Sequence, residues 1–322
     1  MPINTFGSLA FEIFASIKGT GGTVNIVDLM ERFALDALGK TGFGFDFGAL
    51  KDKNSPWVHV YNSIQHGMFE QPFFNFPILD QQLRWLFPKR KIIHDNVERF
   101  NKMLDNIIDD KRRVLQSREA TSVEDHEKDL LTLMLEKEMD EKEIFSKEEL
   151  RSNLKMFFMA GHGTTSNALS FALYHLAVNP EVQQKAREES ISILGDGADV
   201  LPTINQIQEM TYINMIIKET LRIHCPLSSM IPRVANMDTV LADTLIPKGS
   251  PVIINMYDIH HNDRLWENPE KFDPDRFLPG GEADQRDLGP TWIPFGLGGR
   301  QCLGMNFTLA QQRVILSLLC KI

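Results

Sequence analysis

The sequence predicts a mainly α-helical protein with a small β region near its C-terminal end. Apolar residues recur at helical spacing through several long segments. One stretch, "DTVLADTLIPKGSPVIINM" at 238–256, alternates and turns like paired strands. A third observation is a glycine-rich loop, "PFGLGGRQCLG" at 294–304, which holds one of only three cysteines and leads into another apolar stripe.

The first clear element is "VNIVDLMERFALDALGKTGFGF", residues 24–45, a helical pattern ending at glycines that can cap it. A second helix carries Ile93, Val97, Phe100, Leu104 and Ile107 on one face and charges on the other. Residues 116–129 are polar and read as a linker. A long helix comes next, opened by a Ser146/Glu149 capping box and running to the Asn179-Pro180 start signal of its successor. Gly161 and Gly163 interrupt its middle, each costing about 1 kcal/mol relative to alanine. Shorter amphipathic segments occupy 180–194 and 211–224. His260 and His261, read as neighbours on a strand, face opposite ways and suit packing or surface roles. No internal repeat is visible.

Composition narrows the function. The 322 residues carry a net charge of −9, with 43% hydrophobic and 24% charged residues, as an ordinary globular protein does. No basic stripe interleaved with aromatics is present, so no nucleic-acid partner is expected. Cys225, Cys302 and Cys320 are odd in number and form no CxxC, which disfavours a disulfide framework and a zinc site. No signal peptide or apolar run of transmembrane length is read. "GFGFDFG" at 42–48 comes after a helix and spaces its glycines wrongly for a dinucleotide fingerprint.

Two motifs stand out. Glu219 and Arg222, three apart in "KETLRIH", share a helix face. Arg276 in "FDPDRF" offers a second guanidinium, and a buried Glu between two arginines would lock distant segments together. The cysteine loop is more specific, as Phe295, Gly298, Arg300, Cys302 and Gly304 form the pattern F-x-x-G-x-R-x-C-x-G. After it, Leu303, Phe307, Ala310, Val314 and Leu318 read as a helix, so Cys302 stands just ahead of a helix N-terminus, where a thiolate is stabilised. A thiolate so held is an axial ligand for haem iron.

With "AGHGTT" in the long helix, "ETLR", "FDPDRF" and "FGLGGRQCLG" in that order, the chain resembles the cytochrome P450 family of haem-thiolate monooxygenases. The resemblance implies a single partial domain over 1–322, with the long central helix over the haem and the cysteine loop beneath it. It implies that Cys302 ligates the iron of haem b, that Phe295, Gly298 and Gly304 bring the loop under the porphyrin, and that Arg300 and Arg233 pair with its propionates. Ala160 and Gly161 would border the haem. Thr164 would be the proton-delivering alcohol, with His162 and Gly163 beside it, although the family usually has an acid where Gly163 stands. Phe157, Phe158, Ala160, Met230 and Ile231 would line the substrate space, and Glu219, Arg222 and Arg276 would be the structural triad.

The resemblance implies insertion of one oxygen atom from O2 into a lipophilic small molecule, with electrons passed from NADPH through a flavin reductase. The "YDIHHNDRLWENPEKFDPDRF" stretch points to a eukaryotic, fungal-like member. Its full-length homologue would sit on the cytosolic face of the endoplasmic reticulum membrane, through an N-terminal anchor that this chain lacks. The family's first strands and terminal hairpin are likewise expected to be missing. Two other readings stay open: a truncated non-catalytic chain, and a haem-thiolate isomerase or dehydratase that needs no O2.

Overall fold

The computed structural model describes residues 2–19, 23–68, 70–117, 128–140, 145–197, 200–284 and 290–321. They form two compact units, Met1–Gly163 and Thr164–Ile322, with the boundary inside the long helix. Most of the 116–129 linker lies outside the described residues.

The first unit begins with helices α1 (Ile3–Gly19) and α2 (Ile26–Leu38), which pack together. The Asn25 side chain caps α2 by accepting from the Asp28 amide at 3.2 Å. The chain then widens into a π-turn, Gly39–Phe43, and stops at Gly44, whose φ of +61° is left-handed. Gly39 has no side chain because the Phe45 carbonyl, at 2.6 Å, and the Phe47 ring occupy the place of a Cβ. The buried Asp36 carboxylate accepts from the Ala49 and Leu50 amides, both at 2.8 Å, and folds this loop back.

Helix α3 (Pro56–Met68) packs on α6 (Pro88–Gln116), with the short α4 (Gln71–Asn75) and α5 (Pro77–Gln81) between them in sequence. Buried Arg90 ties this region together. Its guanidinium meets Asp80 at 2.6 and 2.9 Å, donates to the Gly67 carbonyl and lies over the Phe73 ring. These bonds hold the Asp80 carboxyl down at about 2. Helix α7 (Leu130–Asp140) completes the local layer.

Helix α8 (Lys147–Val178) is the long helix, about 48 Å at 1.5 Å per residue. Ser146 and Glu149 cap it reciprocally: the Ser146 amide donates to Glu149 Oε2 at 2.8 Å, and the Glu149 amide to Ser146 Oγ at 3.2 Å. In the first unit Phe158 is fully buried, 4.8 Å from Phe100, 5.1 Å from Tyr61 and stacked on Phe43. Phe157 packs against the same aromatic cluster.

The second unit contains the end of α8, then α9 (Pro180–Leu194), α10 (Ile204–Glu209) and α11 (Thr211–Ile223). The Glu189 carboxylate of α9 accepts from the first amides of α11, those of Tyr212 and Ile213, at 2.7 and 2.9 Å. That satisfies groups a helix start leaves open and complements its dipole. Strand β1 (Arg233–Val234) pairs antiparallel with β4 (Pro251–Val252), and β2 (Thr239–Leu241) with β3 (Thr244–Ile246). The β2–β3 turn puts Ala242 and Asp243 at positive φ, the twist a two-residue hairpin requires.

The strand-like alternation ends earlier than the sequence predicts. Residues Met256–His260 form helix α12, capped by Asn255, so His260 and His261 lie on and just past a helix end. Helix α13 (Met305–Lys321) packs on α9 and α11, and its Val314, Ile315 and Leu318 are buried.

Phe158→Ala should destabilise the first unit by about 3–5 kcal/mol, the usual cost of emptying a buried aromatic site. Ile231→Ala, at a residue 76% exposed, should change stability little. Urea unfolding of the two variants measures the contrast.

Candidate active site

The cysteine loop obtains its shape from two left-handed glycines and one cross-loop bond. Gly296 has φ +67° and Gly298 +69°, conformations that L side chains rarely adopt. Between them and the cysteine, Gly298–Arg300 makes a single 3₁₀ turn, and the Cys302 amide donates to the Phe295 carbonyl at 2.8 Å. The Met230 methyl occupies the space a Cβ on Gly296 would need, 2.8 Å away, and the Met230 amide is itself held by the Ile254 carbonyl. Met230 therefore braces the loop, a contact its assignment to a substrate wall did not anticipate. The Cys302 side chain is exposed, three residues ahead of α13.

The approach to the loop is fastened in two places. Trp292 Nε1 donates to the Lys218 carbonyl of α11 at 2.9 Å, and the Ile293 amide donates to His260 Nε2 at 3.0 Å. A nitrogen that accepts carries no proton, so His260 is the Nδ1–H tautomer. Burial first, and then the Arg222 charge, push its pKa down to about 4.

Glu219 and Arg222 are both fully buried. Their contact is bidentate, Nε to Oε2 at 2.7 Å and Nη2 to Oε1 at 2.9 Å. Glu219 Oε1 also accepts from Arg276 Nε at 3.3 Å and from the Asp273 amide at 2.9 Å. Arg222 sends its other donors to the His260 and Pro269 carbonyls at 2.7 and 2.6 Å, and its guanidinium lies over Trp266. The three residues thus meet, and they join α11 to α12 and to the stretch around 269–276.

The residues from "AGHGTT" do not all face one place. Ala160 is exposed, and Gly161, Gly163 and Thr164 are half-buried. Cβ atoms at Gly161 and Gly163 would meet only ordinary contacts, Leu38 at 3.4 Å and Gln65 at 3.7 Å, so crowding does not demand either glycine. His162 points elsewhere. It is buried edge-on against Tyr61, with Nε2 donating to the Glu31 carbonyl at 2.9 Å, and burial lowers its pKa to about 4. It is neutral at pH 7 and tied to α2. Phe158 lies at the centre of the aromatic cluster and half-buried Phe157 packs against it. Ile231 is exposed.

The loop fits the haem implied by its motif. The loop carries a free, exposed thiol, two glycines (Gly298 and Gly299) at which a Cβ would meet nothing, and the exposed apolar Leu297 and Leu303, which a flat apolar ring would cover. Arg233 and Arg300 are exposed and make no ion pair with another described residue, leaving two cations for two carboxylates. Among the described residues no group of three or more His, Cys, Asp or Glu could hold a metal ion. Nor is any described helix long and apolar enough to cross a membrane.

Comparison with known proteins agrees with this chemistry. The family model described as Cytochrome P450 matches residues 8–321, and so begins before the first segment in which the sequence showed the resemblance. Cytochrome P450 3A12 of Canis lupus familiaris is 32% identical, over 98% of this chain and 61% of its own length. Cytochrome P450 3A5 of Homo sapiens is also 32% identical, over 92% of this chain and 58% of its own. The crystal structure of the cytochrome P450DA heme domain superposes with a TM-score of 0.79 at 25% identity, covering 98% of this chain and 66% of that one. The chain therefore spans about three fifths of the length of these curated relatives.

The histidines give a pH dependence with a definite sign. His162, His175 and His260 are each lowered to about 4, chiefly by burial, so between about pH 4 and 6.5 the unfolded chain binds protons that the folded one does not. Stability should fall as pH drops from 7 to 5, by up to about 2 kcal/mol for each histidine. His260→Gln, which keeps an acceptor for the Ile293 amide, should remove about a third of the slope. Urea unfolding at a series of pH values measures both.

Proposed function

We propose that this chain, which belongs to the cytochrome P450 family, is the haem-binding part of a monooxygenase that hydroxylates a lipophilic small molecule. The observation that carries the reading is the exposed Cys302 thiol on a glycine-shaped loop, three residues ahead of α13. The family uses haem b and takes electrons from NADPH through a reductase. Residues 1–322 are proposed as one partial domain of the family fold. A flavin reductase is proposed as the partner, and the cytosolic face of the endoplasmic reticulum membrane as the place of the full-length protein.

Cys302 would hold the iron as a thiolate, favoured by the helix dipole at the start of α13. When bound, the haem-thiolate group supplies cleavage of the O–O bond and oxidation of an unactivated C–H bond. Every other contribution comes from the chain. The open glycines Gly298 and Gly299 let the backbone approach a planar group, and Arg233 and Arg300 would bind its carboxylates. Phe295 sits edge-on to Trp292, 6.2 Å between centroids, and its carbonyl holds the Cys302 amide. The Thr164 hydroxyl would hold a proton and pass it toward the reacting centre. Gly163 adds no carboxyl to this relay and His162 is committed to Glu31, so the protons must arrive through water.

Two variants test the reading. Reduced and exposed to carbon monoxide, the chain should show the strongly red-shifted Soret band of a thiolate complex, and Cys302→Ser should lose it; a band that survives would overturn the ligand assignment. Gly163→Asp should raise product formed per NADPH consumed at unchanged haem content, because general acid assistance contributes about 10²–10⁴ in rate. A parent chain that is already tightly coupled would overturn the water-relay reading. Product formed without oxygen uptake would replace the monooxygenase with an isomerase or dehydratase.

A further inference from the structure

Resting on the haem-thiolate reading, we infer that Thr165 and Thr308 are positioning residues: their hydroxyl contact sets the spacing between the helix that carries Thr164 and the loop that carries Cys302. Thr165 Oγ1 and Thr308 Oγ1 lie 2.9 Å apart, and Gln312 Nε2 donates to Thr308 Oγ1 at 3.2 Å. Thr165 is 3% exposed and Gln312 fully buried, so water does not compete for these bonds.

The placement of this contact gives it its meaning. Consecutive residues on a helix point about 100° apart. Thr164 can therefore face a half-open space while Thr165, one residue on, turns into the protein. Thr308 lies in the first turn of α13. Its amide donates to the Gly304 carbonyl at 2.9 Å, and the Met305 amide to the Cys302 carbonyl at 3.4 Å, so its backbone is fastened to the cysteine loop. The path from Thr164 to Cys302 thus runs through one peptide unit, one hydroxyl pair and one helical turn.

The contact is not the default for these side chains. A threonine inside a helix commonly returns its hydroxyl to a carbonyl one turn back, which links nothing. Here the pair crosses from α8 to α13, and the Gln312 amide supports it from below. Gln312 Oε1 is buried with no partner among the described residues, so the amide's orientation is set by Thr308. Leaving an amide oxygen unpaired has a cost, and the bond to Thr308 is what the arrangement gains in exchange. Valine at either threonine keeps the volume and removes only the hydroxyl.

The test uses the full 322-residue chain with Thr165→Val, Thr308→Val, the double variant and Thr308→Ser. Haem per chain, the ratio of red-shifted to unshifted carbon monoxide band, and product per NADPH are measured. Each valine variant should keep its haem yet raise the unshifted fraction about two- to ten-fold and lower coupling, the size expected for one buried hydrogen bond. The double variant should be no worse than Thr308→Val alone, since that change already removes the Thr165 contact. Thr308→Ser should restore the wild-type ratio. Should Thr308→Val not fold, Thr165→Val interrogates the same bond from the other side.

Urea unfolding of the haem-free chain gives the same coupling without the cofactor, through non-additivity of the two valine changes. Wild-type band ratio and coupling in both valine variants, with Cys302→Ser still losing the red-shifted band, would overturn the positioning role alone. A red-shifted band retained by Cys302→Ser would instead remove the haem-thiolate reading and the inference with it.

Discussion

The second unit is organised around one fully buried carboxylate. An isolated charge in the protein interior costs far more than a domain's net stability, so Glu219 is tolerable only with its partners in place. It has them all: the Arg222 fork, the Arg276 Nε and the Asp273 amide. Both arginines are fixed by further bonds. Arg222 holds the carbonyls of His260 and Pro269, and Arg276 holds the Asn268 carbonyl and the Glu282 carboxylate. The irregular backbone around 256–276, with little regular structure of its own, is laid down on the side chains of one helix.

The cysteine loop inherits its position from that frame. His260 presents its backbone carbonyl to Arg222 and one ring nitrogen to the Ile293 amide, so a single residue connects the ion cluster to the loop entrance. Trp292 repeats the attachment to α11. The loop beyond this entrance is conformationally narrow, because Gly296 and Gly298 need φ angles closed to other residues and the Cys302 amide is already committed to Phe295. In the proposed haem-binding reading, a thiol presented on this constrained backbone beside open glycines would meet a flat metal complex already arranged. Binding then costs little reorganisation.

Much of this was legible in the sequence where the signal is local. The Ser146/Glu149 box and the Asn179-Pro180 boundary mark the ends of helices because capping involves residues within one turn. The glycine and cysteine pattern of the loop was legible for the same reason. Long-range partners were not. His162 meets a carbonyl 131 residues earlier in the chain, and Phe158 meets rings from three separate segments. Helix α8 is apolar around much of its circumference, so periodicity could not say which apolar residues enter the core and which face a ligand. The five-residue α4, α5 and α12 are too short to show a period, and residues 256–260 were absorbed into the strand pattern before them.

The Glu219 cluster, and not the loop's own sequence alone, holds Cys302 in place. Amide hydrogen exchange on Glu219→Ala and the parent chain tests this dependence residue by residue. Protection at Asp273, Ile293 and Cys302 should fall together in the variant, while Leu104, in the core of the first unit, should exchange as before. Loss of protection at Asp273 with Ile293 and Cys302 still protected at the parent level would show that the loop stands without the cluster, and would refute the dependence.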